Sequence, residues 1–473
     1  MNEAAVQQQK VERIRRLLRY PNARIRALLS LLHPTEIARL LEDSGQDVQM
    51  RILNELPKEV LSEAIAEMDW QTHPGKLLTL LHPEVASRLI GELEWDDAAD
   101  LLAQITEEQK KRILAHVPAE ETRVINQLMR YEEDSAGGLM NPDVVCVPET
   151  LTKLEALREV VRLSEEIEEF YTIYVVDAAR RLVGYLTFRS LFLAKNNQLV
   201  SEIMGRDVVS VKVSMDQEAV AKMMSQYNLP TLPVVDREGR LLGRVTFDDV
   251  LDVIEEETTE DILSFAGVSE DENLRGGWAD AVRSRIPWLL VNLLTASVSA
   301  VTIAFFDTTI EKIVLLTSLM PVIAGVAGNG ATQTLAVTIR RIATEGIPRR
   351  KAARVIFKEL SVGAINGLML GAIVSLVLMF VNPSKDPQFV AMMGLVVFVA
   401  MWGNLMLAGL AGSIIPLALE RARVDPAVAS SILITALTDV IGFLVLLGLA
   451  SRLLLPMVGT VGELGRQFLN PVF

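Results

Sequence analysis

The chain contains 473 residues, half of them hydrophobic, and one cysteine, Cys146, which excludes an intrachain disulfide. Residues 1–285 carry 51 acidic and 33 basic side chains, whereas residues 286–473 carry 9 and 13. The net charge of −18 in the first part repels nucleic acid and attracts cations, so we expect a divalent metal and not a nucleic acid as partner.

Short amphipathic segments fill residues 10–131, and most of them begin with a proline or an acidic residue. HPTEIARLLED, LPKEVLSEAIAEM and HPEVASRLIGEL are three of them. Each segment is too short to form a stable helix alone, so the pattern predicts a stacked α-helical solenoid. No apolar core of a signal peptide precedes it, and we therefore expect this domain in the cytosol.

The pattern then changes to short strands that alternate with helices, and it does so twice. GLMNPDVVCV and EIMGRDVVSV are two copies of one segment, and IYVVDAARRLVGYLTFRSL and LPVVDREGRLLGRVTFDDV are two copies of another. This internal duplication resembles a tandem pair of CBS domains, which are α/β regulatory modules that often bind adenosine nucleotides.

The CBS resemblance implies candidate nucleotide-binding residues. The motif G-x-x-T-x-x-[SD] places Thr187 and Ser190 in the first copy and Thr246 and Asp249 in the second. The aspartate could hold a ribose, and ATP at these domains is an open prediction.

An acidic stretch, DDVLDVIEEETTED at 248–261, contains eight acids and no base. On a helix, Asp249, Asp252, Glu256 and Glu260 lie on one face, where like charges repel by ~0.2 to 0.5 kcal/mol per pair. A solvated acidic helix is one interpretation. The position of the stretch, directly before the apolar half of the chain, favours a bound cation that controls that half.

Five stretches of about 20 mostly apolar residues begin near residues 286, 313, 360, 390 and 428. They predict five membrane-spanning helices, and the odd number places the termini on opposite sides. The connection between the second and third stretches is rich in Arg and Lys, whereas the opposite loops are short and carry little net charge. By the positive-inside rule, the N-terminus faces the cytosol and the C-terminus lies outside.

Asp439 is the acid that lies farthest from the end of any apolar stretch. A charge at the bilayer centre costs ~2.5 to 3.5 kcal/mol, so it must face protein, water or a cation. The alternative is a buried carboxyl group that is protonated or hydrogen-bonded. A two-fold axis would bring two copies together, and such a pair suits Mg²⁺, which keeps several waters and binds one or two carboxylates.

Glycine and proline mark two further features of the apolar half. The second stretch contains MPVIAGVAGNGATQT, which predicts a broken helix that lines a cavity, with Asn329 in the pore wall. A packing kink is the alternative. In the third stretch, Gly363, Gly367 and Gly371 form a stripe that predicts close contact between helices.

The order of these parts is similar to that of the MgtE family of magnesium channels over nearly the whole chain. MPVIAGVAGNGATQT, RVIFKELSVGAINGL and DPAVASSILITALTDVIG carry the resemblance in the membrane part. It implies a homodimer embedded in the lipid of the inner membrane. The implied domains are a helical N domain (1–131), two CBS domains (132–198 and 199–256), a plug or connecting helix (257–285), five transmembrane helices (286–456) and an extracytoplasmic tail (457–473).

The resemblance also implies residue roles. Asp439 would bind the ion in the pore, Asn329 would border that site, and residues 253–279 would form the plug helix. The acids that hold regulatory Mg²⁺ would be Asp96, Asp97, Asp100, Asp216, Asp249, Asp252, Glu257, Glu260 and Asp261.

We therefore expect a Mg²⁺-selective uptake channel that closes when intracellular Mg²⁺ binds to the acidic N, CBS and plug regions. Two alternatives stay open: a gradient-coupled exchanger of divalent cations, and a nucleotide-sensing membrane receptor that does not transport. An enzyme is not expected, because the sequence has no P-loop, no motif that pairs a nucleophile with a base, and no zinc-ligand spacing.

Overall fold

The computed structural model describes residues 26, 29, 31–165, 167, 170–269, 272, 277–345, 347–381, 386–426 and 431–458. The chain divides into two compact units, Met1–Glu257 and Thr258–Phe473. Most of the N-terminal 30 residues, and the predicted outer tail from residue 459, lie outside the described residues.

Short helices make up the first part of the first unit. Within the described residues they are α1 (Pro34–Glu42), α2 (Gln46–Glu55), α3 (Lys58–Ala66), α4 (Gly75–Leu78), α5 (Pro83–Ile90), α6 (Trp95–Ala103), α7 (Glu107–Leu114) and α8 (Ala119–Leu128). Alternate helices pack on one another: α1 on α3, α3 on α5, α5 on α7, and α6 on α8. Each helix buries one apolar stripe against its neighbours, so the predicted helical solenoid is confirmed.

Two small sheets follow, and each contains three strands. The elements in chain order are β1 (Cys146–Pro148), α9 (Lys153–Leu163), β2 (Ile173–Val176), β3 (Leu182–Leu186), α10 (Phe188–Leu193), α11 (Val200–Ile203), β4 (Val211–Lys212), α12 (Gln217–Tyr227), β5 (Thr231–Val235) and β6 (Leu241–Thr246). In both sheets the first pair of strands is parallel and the second pair is antiparallel. The two sheets therefore share one topology.

The duplication extends to individual hydrogen bonds. Asp177 accepts hydrogen bonds from the backbone and side chain of Arg181 in the turn between β2 and β3. Asp236 accepts the same bonds from Arg240 in the turn between β5 and β6. The predicted internal repeat is thus a repeat of structure, with an acid and an arginine fixing the same turn twice.

The second sheet and the solenoid share one apolar core. Leu89, Leu102 and Ile125 of the solenoid belong to the same buried cluster as Val234 and Val245 of the second sheet. The first sheet packs on a core of its own, built around residues such as Val147 and Val175. Apolar burial therefore holds the solenoid to the second CBS repeat.

Helix α13 (Phe247–Ala266) contains the acidic stretch and ends at Gly267. Gly267 has φ +72°, and its N–H donates to Ser264 O while Val268 N–H donates to Leu263 O at 2.9 Å. Such a left-handed residue closes the last turn of a helix. The expectation of one plug helix over 253–279 is therefore wrong, because the next described helix begins at Trp278.

Long helices build the second unit, together with one short helix. In chain order they are α14 (Trp278–Ala304), α15 (Asp307–Lys312), α16 (Leu315–Glu345), α17 (Arg349–Val381), α18 (Pro387–Ala422) and α19 (Ser431–Leu453). Five of them are long and apolar enough to cross a membrane, as predicted. The helices extend beyond the apolar stretches, and the first of the short outer loops expected between them contains the short helix α15.

The predicted break in the second span is absent, because α16 runs without interruption from Leu315 to Glu345. Pro321 lacks the N–H that would donate one intrahelical hydrogen bond. The glycines of this segment retain their N–H groups. In a membrane every backbone group that loses its partner is costly, which favours a continuous helix. Asn329 therefore lies on a helix and not in an unwound segment.

The glycine stripe of α17 packs on α18, as predicted. A Cβ atom on Gly363 would touch the carbonyl oxygen of Leu405, and one on Gly367 would lie 2.9 Å from Trp402 Cα. The two backbones approach so closely that no side chain fits between them. This contact is the most extensive between any two described helices.

Replacing Gly363 by alanine should separate α17 from α18 and destabilise the membrane unit by ~1 to 3 kcal/mol, the usual cost of overpacking. Gly403→Ala is the matched control, because a Cβ atom on Gly403 would have no atom within 4 Å. Thermal aggregation in detergent, followed by gel filtration, should show a lower midpoint for Gly363→Ala only. Equal midpoints would contradict the packing argument.

Candidate functional site

The first candidate site lies where the N-terminal end of α6 approaches the start of α13. Asp96 is buried, with 8% of its surface exposed. Asn141 donates from Nδ2 to Asp96 Oδ1 at 3.3 Å and to Glu94 Oε2 at 2.5 Å. Trp95 donates from Nε1 to Asp143 Oδ2 at 2.9 Å. Hydrogen bonds from the loop that contains Asn141 and Asp143 thus hold two acids of the solenoid, Glu94 and Asp96, next to the second CBS repeat.

Burial and crowding of like charges raise the pKa values of four predicted regulatory acids. Burial raises the pKa of Asp96 well above its usual range, and the carboxylates of Asp97 and Asp249 raise it further. The pKa rises to about 8 at Asp97, to about 7 at Asp100 and to about 6 at Asp249, in each case chiefly through burial. Neighbouring acids add to each shift. The arrangement disfavours negative charge unless a cation accompanies it.

A second group lies near the C-terminal end of the first unit. Gln217 donates from Nε2 to Glu257 Oε1 at 2.8 Å. Burial raises the Glu257 pKa, the hydrogen bond lowers it, and Glu218 and Asp216 raise it. Asp216 itself caps α12, accepting from Glu218 N–H at 3.0 Å. Asp216 and Glu257 are therefore neighbours, in a place separate from the acids of α6.

The remaining predicted regulatory acids, Asp252, Glu260 and Asp261, lie on α13. Burial raises the pKa of Asp252, as do Glu255 and Glu67. In the second unit, burial and then Asp425 raise the pKa of Asp261. Glu260 is partly buried beside it on α13.

No group of three or more His, Cys, Asp or Glu side chains among the described residues is arranged to enclose a metal ion. The acids are crowded, but they do not form an inner-sphere cage. Mg²⁺ usually keeps several waters and takes one or two carboxylates. A crowded and partly open set of acids is compatible with this outer-sphere chemistry.

The CBS motif residues cap helices. Thr187 Oγ1 accepts from Ser190 N–H at 3.1 Å, and Ser190 Oγ accepts from Thr187 N–H at 3.1 Å. In the second repeat the Thr246 hydroxyl donates to the Asp249 carboxylate. All four candidate nucleotide-binding residues therefore have a structural role at the start of α10 or α13.

Asp439 lies in the middle of α19 and is partly exposed. Gly328 of α16 packs on Thr435 of α19. A Cβ atom added at Gly328 would lie 3.2 Å from Thr435 Cγ2. Because a helical side chain leans towards the N-terminus of its helix, the Asp439 carboxylate lies near the depth of Thr435. Asn329 follows Gly328 and is exposed. The two predicted pore residues therefore lie at similar depth, and among the described residues Asn329 is exposed and Asp439 partly buried.

Two buried polar residues of the membrane unit were missed by sequence reasoning. Glu359 of α17 is 6% exposed and pairs with Lys358 Nζ at 3.0 Å. Asn404, at the centre of α18, is 1% exposed. Asn404 interrupts an apolar run of the sequence and could have been noticed there. Glu359 adjoins a basic segment, which suggested a position at the membrane surface.

Family profiles match most of the chain. A profile described as MgtE, divalent cation transporter, matches residues 320–449. The MgtE intracellular N domain matches residues 32–134, and the CBS domain matches residues 136–196 and 200–256.

Two solved structures resemble the first unit. The cytosolic domain of the Mg²⁺ channel MgtE in complex with ATP is 38% identical over 48% of this chain and 93% of its own, with a TM-score of 0.46. The soluble part of a magnesium transporter is 28% identical over 53% of this chain and 99% of its own, with a TM-score of 0.47.

Two curated relatives are similar over nearly their whole length. The magnesium transporter MgtE of Thermus thermophilus is 37% identical over 440 residues, which cover 92% of this chain and 96% of the relative. That of Bacillus subtilis is 31% identical over 426 residues, 90% of this chain and 93% of the relative. With this coverage and five helices that can cross a membrane, the chain is a multi-pass membrane protein that belongs to the MgtE family of magnesium transporters.

Proposed function

We propose that this protein is a homodimeric Mg²⁺ channel of the inner membrane that closes when intracellular Mg²⁺ is abundant. The observation that carries the proposal is Asp439, a partly exposed acid in the middle of a span, at the depth of Asn329 on the neighbouring helix. An acid at such a place is retained for a function, because it is costly in lipid.

In the proposed homodimer a two-fold axis lies beside α16 and α19. It would bring two Asp439 carboxylates together, and their combined charge equals that of one Mg²⁺. Asn329 adds an amide oxygen that accepts hydrogen bonds from water. The site would hold a hydrated ion, as Mg²⁺ chemistry favours.

The distribution of basic residues supports the orientation. The end of α16 and the start of α17 carry Arg340, Arg341, Arg350, Lys351, Arg354 and Lys358. By the positive-inside rule this connection faces the cytosol. The N-terminus is then cytoplasmic, and the C-terminus lies outside.

Asp439→Ala should abolish Mg²⁺ uptake, because the path would lose the negative charge that holds the hydrated ion. Asp307→Asn is the control, since Asp307 is an exposed acid between two spans. Growth of a transport-deficient strain at low Mg²⁺ measures the effect. Undiminished growth with Asp439→Ala, at normal expression, would remove this residue from the pore.

Gating requires a connection between the acidic helix and the pore helices, and the end of α13 makes one within the second unit. A Cβ atom on Gly267 would lie 2.6 Å from Ile432 Cδ1 of α19. Phe265 packs against a cluster that includes Leu335 of α16 and Ile434 of α19. A displacement of the end of α13 would therefore press on both pore-lining helices.

The acids on α13 and around it act as the sensor in this proposal. They are Asp96, Asp97, Asp100, Asp216, Asp249, Asp252, Glu257, Glu260 and Asp261. Shifting a gate from 1:99 to 99:1 takes ~5.5 kcal/mol of differential binding. One site that exists only in the closed state contributes ~1.4 kcal/mol at ten times its dissociation constant. Several weak sites are therefore needed, and the response to Mg²⁺ should be steep.

Neutralising four sensor acids together should leave a channel that conducts at high internal Mg²⁺, because the closed state loses its differential binding. The variant combines Asp249→Asn, Asp252→Asn, Glu257→Gln and Glu260→Gln. Patch recordings with Mg²⁺ varied on the cytosolic side measure closure.

The control variant removes the same number of charges from exposed acids elsewhere in the first unit. It combines Glu84→Gln, Glu108→Gln, Glu120→Gln and Glu202→Gln. This variant should close normally. If both variants close normally, the sensor proposal fails; if both stay open, net charge and not these positions controls the gate.

The raised pKa values predict a pH dependence. Asp97 and Asp100, with pKa values of about 8 and about 7, hold protons near neutral pH. A raised folded-state pKa contributes stability below the unfolded-state value, near ~4 for Asp, and this stability is lost as the pH rises to the raised value. The Mg²⁺-free protein should therefore become less stable between about pH 4 and about pH 8.

Mg²⁺ competes with these protons, so its stabilising effect should increase over the same range. Melting of the full chain in detergent, with and without Mg²⁺, at about pH 6 and about pH 8 measures the difference. The double variant Asp97→Asn, Asp100→Asn should show a smaller pH dependence, with Asp96 and Asp249 responsible for what remains. A Mg²⁺ effect that is larger at the lower pH would have the wrong sign.

ATP binding at the CBS pair is part of this proposal and is secondary to Mg²⁺. Thr187, Ser190, Thr246 and Asp249 are the candidate residues, and a nucleotide would compete with their capping bonds. Calorimetric titration with ATP tests this part. Flux into liposomes with and without a Na⁺ or H⁺ gradient separates a channel from the alternative, a coupled exchanger.

A further inference from the structure

The side-chain amide of Asn404 is buried without a hydrogen-bond partner. The residue lies at the centre of α18 and is 1% exposed. Within the part of the chain that the structure describes, neither Oδ1 nor Nδ2 has a partner. Burying an unpaired amide is costly, and in a membrane there is no lipid group to relieve it. An apolar residue of this size would be more stable here.

The amide lies against the segment of α19 that carries Asp439. A Cβ atom on Gly442 of α19 would meet Asn404 Nδ2 directly, so the amide occupies the space beside this glycine. Because side chains on a helix lean towards its N-terminus, that space lies beside the turn that precedes Gly442. Asp439 belongs to that turn. Asn404 thus approaches α19 within about one turn of the Asp439 backbone.

Leu405, the next residue along α18, contacts two further helices. A Cβ atom on Gly330 of α16 would lie 2.9 Å from the side chain of Leu405, and one on Gly363 of α17 would touch the carbonyl oxygen of Leu405. Gly330 follows Asn329, the other predicted pore residue. Asn404 therefore lies on the turn of α18 that packs on the segment of α16 carrying Asn329, while its amide contacts Gly442 of α19, three residues from Asp439.

We propose that Asn404 is a positioning residue for the transported ion. Its amide hydrogen-bonds water that hydrates the cation held by Asp439, and it thereby favours a cation that keeps its water over one that gives it up. Mg²⁺ dehydrates reluctantly, whereas Ca²⁺ takes six to eight direct oxygen ligands. The inference rests on the proposed role of Asp439. It explains why an amide is kept where an apolar side chain would stabilise the protein.

The variant Asn404→Leu distinguishes a role of Asn404 in ion preference from a role in helix packing. Leucine has a similar size and removes the unpaired polar atoms, so the melting temperature in detergent should rise. The preference for Mg²⁺ over Ca²⁺ should fall by ~5-fold, the equivalent of one lost hydrogen bond. Competitive uptake into proteoliposomes measures the preference, and Asn292→Leu, at an exposed amide of α14, is the matched control.

A raised melting temperature with an unchanged ion preference would overturn the inference. If Asn404→Leu does not fold, Asn404→Ser and Asn404→Ala form a second pair of nearly equal size, of which only serine can hydrogen-bond water. Retention of the preference in the serine variant alone supports the inference, and equal preferences overturn it. Asp439→Ala, assayed in parallel, tests the ion site itself, so a transporting Asp439→Ala protein places the failure in the proposed function.

Discussion

The cost of holding a carboxylate away from water is the constraint on which the rest of the structure depends. In the first unit, burial and crowding raise the pKa of Asp97 and Asp100 into the neutral range. In the second unit, Asp439 lies in the middle of a span. Neither arrangement is favourable for a protein that binds nothing. In the proposed function a divalent cation relieves both, as cargo in one place and as signal in the other.

Much of this architecture could be predicted from sequence because it depends on patterns along the chain. Apolar length alone predicts five spans, and the structure contains five such helices. The CBS repeat was visible as two copies of one pattern, and Asp177 and Asp236 show that the copies share their turn chemistry. The close contact of Gly363 with α18 also follows from a local spacing rule. These features depend on residues that are near one another in sequence.

Other features could not be predicted because they depend on competition between distant groups. Glycine and proline in the second span suggested a break, but the need to satisfy every backbone group keeps α16 continuous. Gly267, which looks unremarkable in sequence, ends α13 because its φ of +72° closes the last turn. The crowding of Asp96 with Asp249 joins positions about 150 residues apart, so only the folded core reveals it. Asn404 interrupts an apolar run and was visible in the sequence, but its burial depends on how the neighbouring helices pack.

In the proposed channel, the strength of Mg²⁺ binding at the acids decides how a weak signal can control transport. A single buried cage of ligands would bind Mg²⁺ tightly and would stay occupied as its concentration changes. The described residues contain no such cage. In the proposed function, crowded acids with raised pKa values bind Mg²⁺ weakly and in competition with protons. Within the second unit, Gly267 at the end of α13 packs on Ile432 of α19. We propose that small binding energies at several acids add to the bias on the gate, so that weak binding at many positions is a requirement of the proposed sensor.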